Sequence, residues 1–253
     1  MPRNLTLVGA ALLALGCGTP ALAQPSPVPA TTRQLVVVTT PSWTDTTGTL
    51  VRYERTSSRR PWRRVGTPVS VVVGRSGLGW GRGLHGNGVA NDTGLDGAGP
   101  MKMEGDGRAP AGAFRLTEAF GYASAMRTGL PYVPSDADVE CVDDGNSRSY
   151  NRIVRRDTVP ADYTSHEEMR LASDVYRAGV VVAHNPSNVA RGGSCIFLHQ
   201  KANPVVSTSG CTAMEAAPLD ALVGWLDRRR APVLVQLPAA VYRRVQRAWR
   251  LPP

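Results

Sequence analysis

The chain is 253 residues long with a formal net charge of +9 and a pI near 9.9. A basic balance of that size implies affinity for anionic surfaces, and its cations are nearly all arginine, Lys102 and Lys201 being the exceptions. Nucleic acid is excluded as the partner, because there is no basic helix, no interleaved aromatic platform and no zinc-finger spacing. An anionic, carboxylate-rich cell-wall surface fits better.

Residues 1–23 read as a secretory signal peptide: Arg3, an apolar run from Leu5 to Leu15, and the small exit Ala21-Leu22-Ala23. The run is too short for a membrane-spanning helix, which needs about 20 apolar residues, and no later segment qualifies. The expected product is exported, periplasmic or held at the cell envelope. Lipoprotein processing at Cys17, within "ALGC", is the alternative. Residues 24–33, rich in Pro and Thr without apolar periodicity, read as a flexible tether.

From Gln34 onward, "QLVVVTT", "TLVRYERT" and "PVSVVVG" predict strands, separated by turn clusters such as "WTDTTG". The glycine-dense stretch from Gly74 to Phe114 predicts tight turns. It lacks the lysine and the strand-glycine-helix context of a phosphate loop, which excludes nucleotide binding. A helix is predicted over "SHEEMRLASDVYRAG", with Ser165 as cap, Glu168 as capping-box partner and His166 facing water. The strands "VVVAHN" and "SCIFLH" follow. Pro218 then opens an amphipathic helix whose Leu219, Leu222, Val223 and Leu226 recur at i, i+3, i+4 and i+7, and "PVLVQL" is the last strand. Together these predict a β-rich α+β domain over 34–237 with a few packed helices. Residues 238–253 read as a basic tail with helical character.

Removal of Cys17 leaves Cys141, Cys195 and Cys211, an odd set for an oxidising compartment. Cys141 in "VECVDD" and Cys195 in "GGSCIF" sit in apolar-flanked segments. Their pairing would leave Cys211 free in "STSGCTAM", and closing that loop is worth about 4 kcal/mol in the chain-entropy model. Residues 200–210 separate His199 from Cys211, so the chain can fold back to bring imidazole to sulfur. Such a pair can activate a thiol for attack on a carbonyl and then protonate the leaving amine. Gly210 would give the backbone freedom to aim amides at the oxyanion. A zinc site from His184, His199, Cys195 and Cys211 is the competing arrangement, though it lacks a close Cys-x2-Cys pair. Otherwise His184 and His85 read as satisfied core histidines.

The segment "GGSCIFLHQKANPVVSTSGCTAM" resembles the active-site region of the L,D-transpeptidase catalytic-domain family, in its short-loop branch. The resemblance extends to "EGDGRAPAGAFRL", "CVDDGNSRSYNRIV", "SHEEM" and "GVVVAHN". It implies a single L,D-transpeptidase-like domain, a mixed β-sheet or sandwich. Cys211 would be the acyl-accepting nucleophile and His199 its base, with the Gly210 and Cys211 amides lining the oxyanion hole. A backbone carbonyl from Ser207 to Ser209 would orient the histidine. The implied substrates are peptidoglycan stem peptides, whose acyl group passes to an amine, or to water in an L,D-carboxypeptidase or amidase. A non-catalytic wall-binding protein is the rival from another class. Neither metal nor organic cofactor is implied. Tyr150, Asn151, His184 and Ser194 fall in matching segments as candidate substrate contacts.

Overall fold

The structure is a computed structural model that describes residue 1 and residues 26–86, 99–202 and 207–253. The expected signal peptide and Cys17 lie outside the described residues, apart from Met1.

In chain order the strands are β1 (Gln34–Thr40), β2 (Thr47–Glu54), β3 (Arg63–Val72), β4 (Leu78–Trp80), β5 (Ala109–Gly121), β6 (Tyr132–Pro134), β7 (Val139–Val142), β8 (Arg152–Arg155), β9 (His166–Glu168), β10 (Ala178–Val182), β11 (Phe197–Gln200) and β12 (Thr212–Met214). Helix α1 (Ala216–Trp225), strand β13 (Val233–Pro238) and helix α2 (Ala239–Val245) complete the chain. The domain is β-rich with a mixed sheet, as its Val and Thr content implies.

The sheet is not an open sandwich. Strands run in the order β10, β11, β12, β3, β2, β1, β13, β5, and β5 pairs again with β10, which closes an eight-stranded barrel. The cause is the length of β5. Its first half, Gly112–Arg115, hydrogen-bonds to β13, and its second half, Leu116–Gly121, reaches β10 across a register shift between Val180 and Val182. Closure satisfies both edges that an open sheet would leave exposed.

Alternation along β1 divides the core. Val36 and Val38 join a cluster with Leu50, Phe114, Leu198 and Leu234, while Leu35 and Val37 join Trp80, Val233 and Val235 on the other face. Helix α1 lies where its apolar stripe predicts, burying Leu219, Leu222 and Val223 in the first cluster.

Three expectations are corrected. The segment 165–179 is not a helix: His166–Glu168 form β9, and Asp174–Tyr176 a short 3-10 turn. Leu171 and Val175 stand four apart as a helix would place them, but that local spacing does not decide the segment. Pairing with β7 takes the segment instead, with Glu140 opposite Glu168, Cys141 opposite Glu167 and Val142 opposite His166. The tail 238–253 is part of the domain, because Val241, Val245, Trp249 and Leu251 complete the second cluster. The tether of 24–33 is docked from Ser26 on: Val28 is buried against that cluster, and the Ser26 hydroxyl donates to the Trp249 carbonyl at 2.7 Å.

Beside the barrel lies a three-stranded sheet in the order β8, β7, β9. The disulfide Cys141–Cys195 joins its central strand to the segment leading into β11, spanning 54 residues.

Candidate active site

Strands β11 and β12 are parallel neighbours, with His199 opposite Ala213. Side chains on a strand alternate between faces, so Cys211, two residues before Ala213, projects from the same face as His199 and lies diagonally across from it. Both line one cavity of about 470 Å³, whose wall also carries Arg75, Lys102, Glu104 and Glu167. With Cys141 and Cys195 joined, Cys211 is a free thiol. Its sulfur accepts the Phe197 N–H at 3.2 Å and lies 3.5 Å from the Cys195 carbonyl.

His199 Nδ1 is 2.7 Å from the Gln200 carbonyl. A carbonyl only accepts, so Nδ1 carries the proton and Nε2 keeps the basic lone pair. The orienting carbonyl thus belongs to Gln200, not to the expected loop 207–209; Ser209 is exposed in that loop. The Tyr176 ring stands edge-on to the imidazole, with centroids 5.2 Å apart. Burial pushes His199 down to about 4, partly opposed by the Gln200 carbonyl. Burial drives the Cys211 thiol well up, and the Glu167 charge adds to this, while the Phe197 N–H and Lys102 pull it down. Both groups therefore rest neutral on the wall of one cavity, the sulfur hydrogen-bonded to the Phe197 N–H and the Cys195 carbonyl. Such a pair acts by general-base removal of the proton during attack.

Gly210 is needed for space rather than for turn freedom. A Cβ there would lie 3.1 Å from the Arg108 carbonyl oxygen and 3.3 Å from Ile196 Cδ1. Its N–H donates to Thr208 Oγ1 at 3.2 Å, and that hydroxyl donates to the Cys211 carbonyl at 2.6 Å. Thr208 is itself clamped to the end of β3, its N–H on the Val73 carbonyl at 3.0 Å and its carbonyl on the Arg75 N–H at 2.8 Å. The loop before the thiol is thus built by hydrogen bonds, and in this structure the Gly210 amide already has an acceptor inside it.

Of the four candidate substrate contacts, only Ser194 lines the cavity. Its hydroxyl donates to Glu104 Oε2 at 2.8 Å; the Tyr150 hydroxyl donates to the same oxygen and accepts the Gly193 N–H at 3.1 Å. Tyr150 therefore holds the wall from behind. Asn151 is a bracket: its Nδ2 donates to the His184 carbonyl at 2.9 Å and the Asn185 carbonyl at 3.1 Å, and its Oδ1 accepts the Cys195 N–H at 3.0 Å. His184 accepts the Arg82 N–H on Nδ1 at 3.3 Å and donates from Nε2 to the Gly192 carbonyl at 3.0 Å. Burial pushes it down to about 3. It is a satisfied core histidine, as is His85, whose ring joins the Ala113 amide to the Gly81 carbonyl.

The zinc arrangement is not assembled, because the Cys195 sulfur is spent in the disulfide and both His184 nitrogens are committed. Among the described residues no group of three His, Cys, Asp or Glu side chains is placed to hold a metal ion.

The sequence reading missed Glu167 and Tyr176, which it placed on a helix, and also Glu104 and Lys102. Lys102 is buried, its ammonium donating to Asp106 Oδ1 at 2.8 Å and the Met103 carbonyl at 2.7 Å. The available signal was the charge in "MKMEGDG" and "SHEEM", set among residues otherwise suited to turns or burial.

Comparison with protein-family models, with curated proteins and with solved structures found no match. Among the described residues no helix is long and apolar enough to cross a membrane.

Proposed function

We propose that this protein is an exported, cysteine-dependent acyltransferase of the L,D-transpeptidase type, acting on peptidoglycan stem peptides. One observation carries the reading: the free Cys211 thiol and the His199 imidazole project from one face of adjacent strands into one cavity, while the other two described cysteines are bonded to each other. The sequence resemblance supplies the substrate class. The basic surface and the cavity cations Arg75 and Lys201 suit the carboxylates of that polymer.

The chemistry follows from the protonation states. As sulfur attacks the stem carbonyl, the thiol proton passes to His199 Nε2, a C–S bond forms and the carbonyl oxygen takes the negative charge. Collapse breaks the C–N bond, and the imidazolium returns its proton to the departing D-alanine amine. An incoming amine then gives a proton to the same nitrogen as it attacks the thioester. The C–S bond breaks, and the sulfur leaves with that proton. The Gln200 carbonyl holds the ring through both halves and stabilises the transient imidazolium.

The test is incubation of the mature protein and of Cys211→Ala with purified tetrapeptide muropeptides. Cys211-dependent dimers are the expected product. D-alanine released without dimers means that water is the acceptor, and identical behaviour of the two proteins reduces the reading to wall binding.

A further inference from the structure

Glu167 is the one carboxylate that the three-stranded sheet sends into the cavity from within a strand. It sits opposite Cys141 in the β7–β9 ladder, and Cys141 is bonded to Cys195, whose carbonyl faces the Cys211 sulfur. Its Oε2 accepts the Tyr176 hydroxyl at 2.8 Å, and the ring of that tyrosine stands against His199. A short covalent and hydrogen-bonded path thus links the carboxyl to both members of the pair. We propose that Glu167 is a positioning residue of the catalytic centre, whose charge sets how readily the Cys211 thiol surrenders its proton.

The groups facing it come from several elements. Tyr176 lies in the 3-10 turn, Asp143 just past β7, Glu104 and Lys102 before β5, and Cys211 before β12. Burial pushes Glu167 up to about 7, with Asp143 and Glu104 adding and the Tyr176 hydroxyl opposing. Its charge therefore changes close to neutrality. Below that point a neutral carboxyl leaves burial as the main obstacle to thiolate formation. Above it a carboxylate repels the developing negative sulfur. Tyr176 and Lys102 act on the thiol in opposite senses: the first favours the carboxylate that repels the thiolate, and the second favours the thiolate itself.

The inference rests on Cys211 being the nucleophile of the proposed reaction, but its test reads the thiol directly. Iodoacetamide alkylation of Cys211, resolved by peptide mass, is followed from pH 6 to 9 in the wild type, Glu167→Gln and Tyr176→Phe. The expected wild-type profile rises less steeply than a simple thiol, with an inflection near 7. Glu167→Gln loses the inflection and alkylates roughly threefold to tenfold faster at the alkaline end. Tyr176→Phe removes a donor to the carboxylate and moves the inflection to higher pH, a displacement that a merely structural defect would not produce. Superimposable profiles for wild type and Glu167→Gln, or an unmoved inflection in Tyr176→Phe, overturn the inference. Retention of the Cys141–Cys195 bridge is checked in each variant, and if Glu167→Gln fails to fold, Tyr176→Phe decides alone. A Glu167-dependent profile in a protein inert toward muropeptides would keep this inference and remove the proposed function.

Discussion

Every residue of β1 except Thr39 is buried, whereas β8 and β9 bury none. Strand β1 is held by hydrocarbon on both of its faces. The sheet beside the barrel buries only its central strand β7 and surrounds it with charge: Glu140, with no exposed side-chain surface, takes Arg156 Nη2 at 2.9 Å and His166 Nε2 at 3.4 Å and accepts the Tyr163 hydroxyl, while Arg155 reaches Asp136 at 2.8 Å. One covalent bond ties the two regions together. The difference teaches where rigidity is spent. The thiol and the imidazole come from the dry, closed barrel, and the acidic group that tunes them comes from the wetter, tethered sheet.

Acidification separates the two regions most strongly. Burial holds His85 and His199 down to about 4 and His184 to about 3, all below the ordinary value of 6.5. The unfolded chain therefore takes up these protons first. Stability contributed by keeping the three neutral is complete above pH 6.5 and is lost as pH falls toward 4, by up to about 1.4 kcal/mol per pH unit for each histidine. Denaturant melts of the barrel at pH 7, 6 and 5 should give a falling midpoint, and a flat series would contradict this account. Opening the disulfide with Cys141→Ser and Cys195→Ser should cost about 4 kcal/mol in the chain-entropy model. Hydrogen exchange should then quicken first in β7 and β9, and quickening spread evenly over the barrel would erase the distinction drawn here. Leu222→Ala on α1 is the converse probe. It empties a buried site in the barrel cluster, should cost about 3 kcal/mol, and should lower the global melt without selective opening of β9.

Glu140→Gln has the smallest expected effect, about 1 kcal/mol, because Arg156 is half exposed and solvent screens the pair. Burial raises Glu140, but the Tyr163 hydroxyl, Arg156 and His166 together outweigh it, and the net direction is downward. That contribution is present above the ordinary carboxylate value of about 4.5 and fades as pH falls through the lowered one. The sheet should therefore lose its ionic support at lower pH than the barrel loses its histidine contribution. Exchange rates in β7, compared between wild type and variant from pH 6 to 3, test that order.

Local pattern carried much of this into the sequence. The valine runs of β1, β3 and β10 mark strands because β-branched residues crowd a helix and pack well on a pleated surface. The stripe from Leu219 to Leu226 can be buried only as a helix. Three cysteines leave three pairings, and the apolar flanks of Cys141 and Cys195 pointed to the bridge that the structure shows. Barrel closure was not, because it depends on β5 dividing its partners between β13 and β10, a long-range event without a local signature. The Ser165–Glu168 capping-box pattern pointed to a helix, and β7 captured the segment through pairing that spacing cannot display. That one error concealed Glu167 and Tyr176. The docking of Val28 was hidden in the same way, since it is a lone apolar residue among prolines and threonines whose partners include Trp249 at the other end of the chain, whereas Val241, Val245 and Trp249 recur every four residues and marked the tail.

The account depends on sulfur chemistry at Cys211, and the covalent intermediate tests it most directly. Mature protein is mixed with a tetrapeptide muropeptide, quenched in acid within a turnover, and its intact mass and cysteine peptides are read without reduction. The expected result is an adduct of the substrate less D-alanine on the Cys211 peptide, present in the wild type, absent in Cys211→Ala, and depleted when His199 is replaced by alanine. D-alanine released equally by the wild type and Cys211→Ala, or an adduct on any other residue, would contradict it.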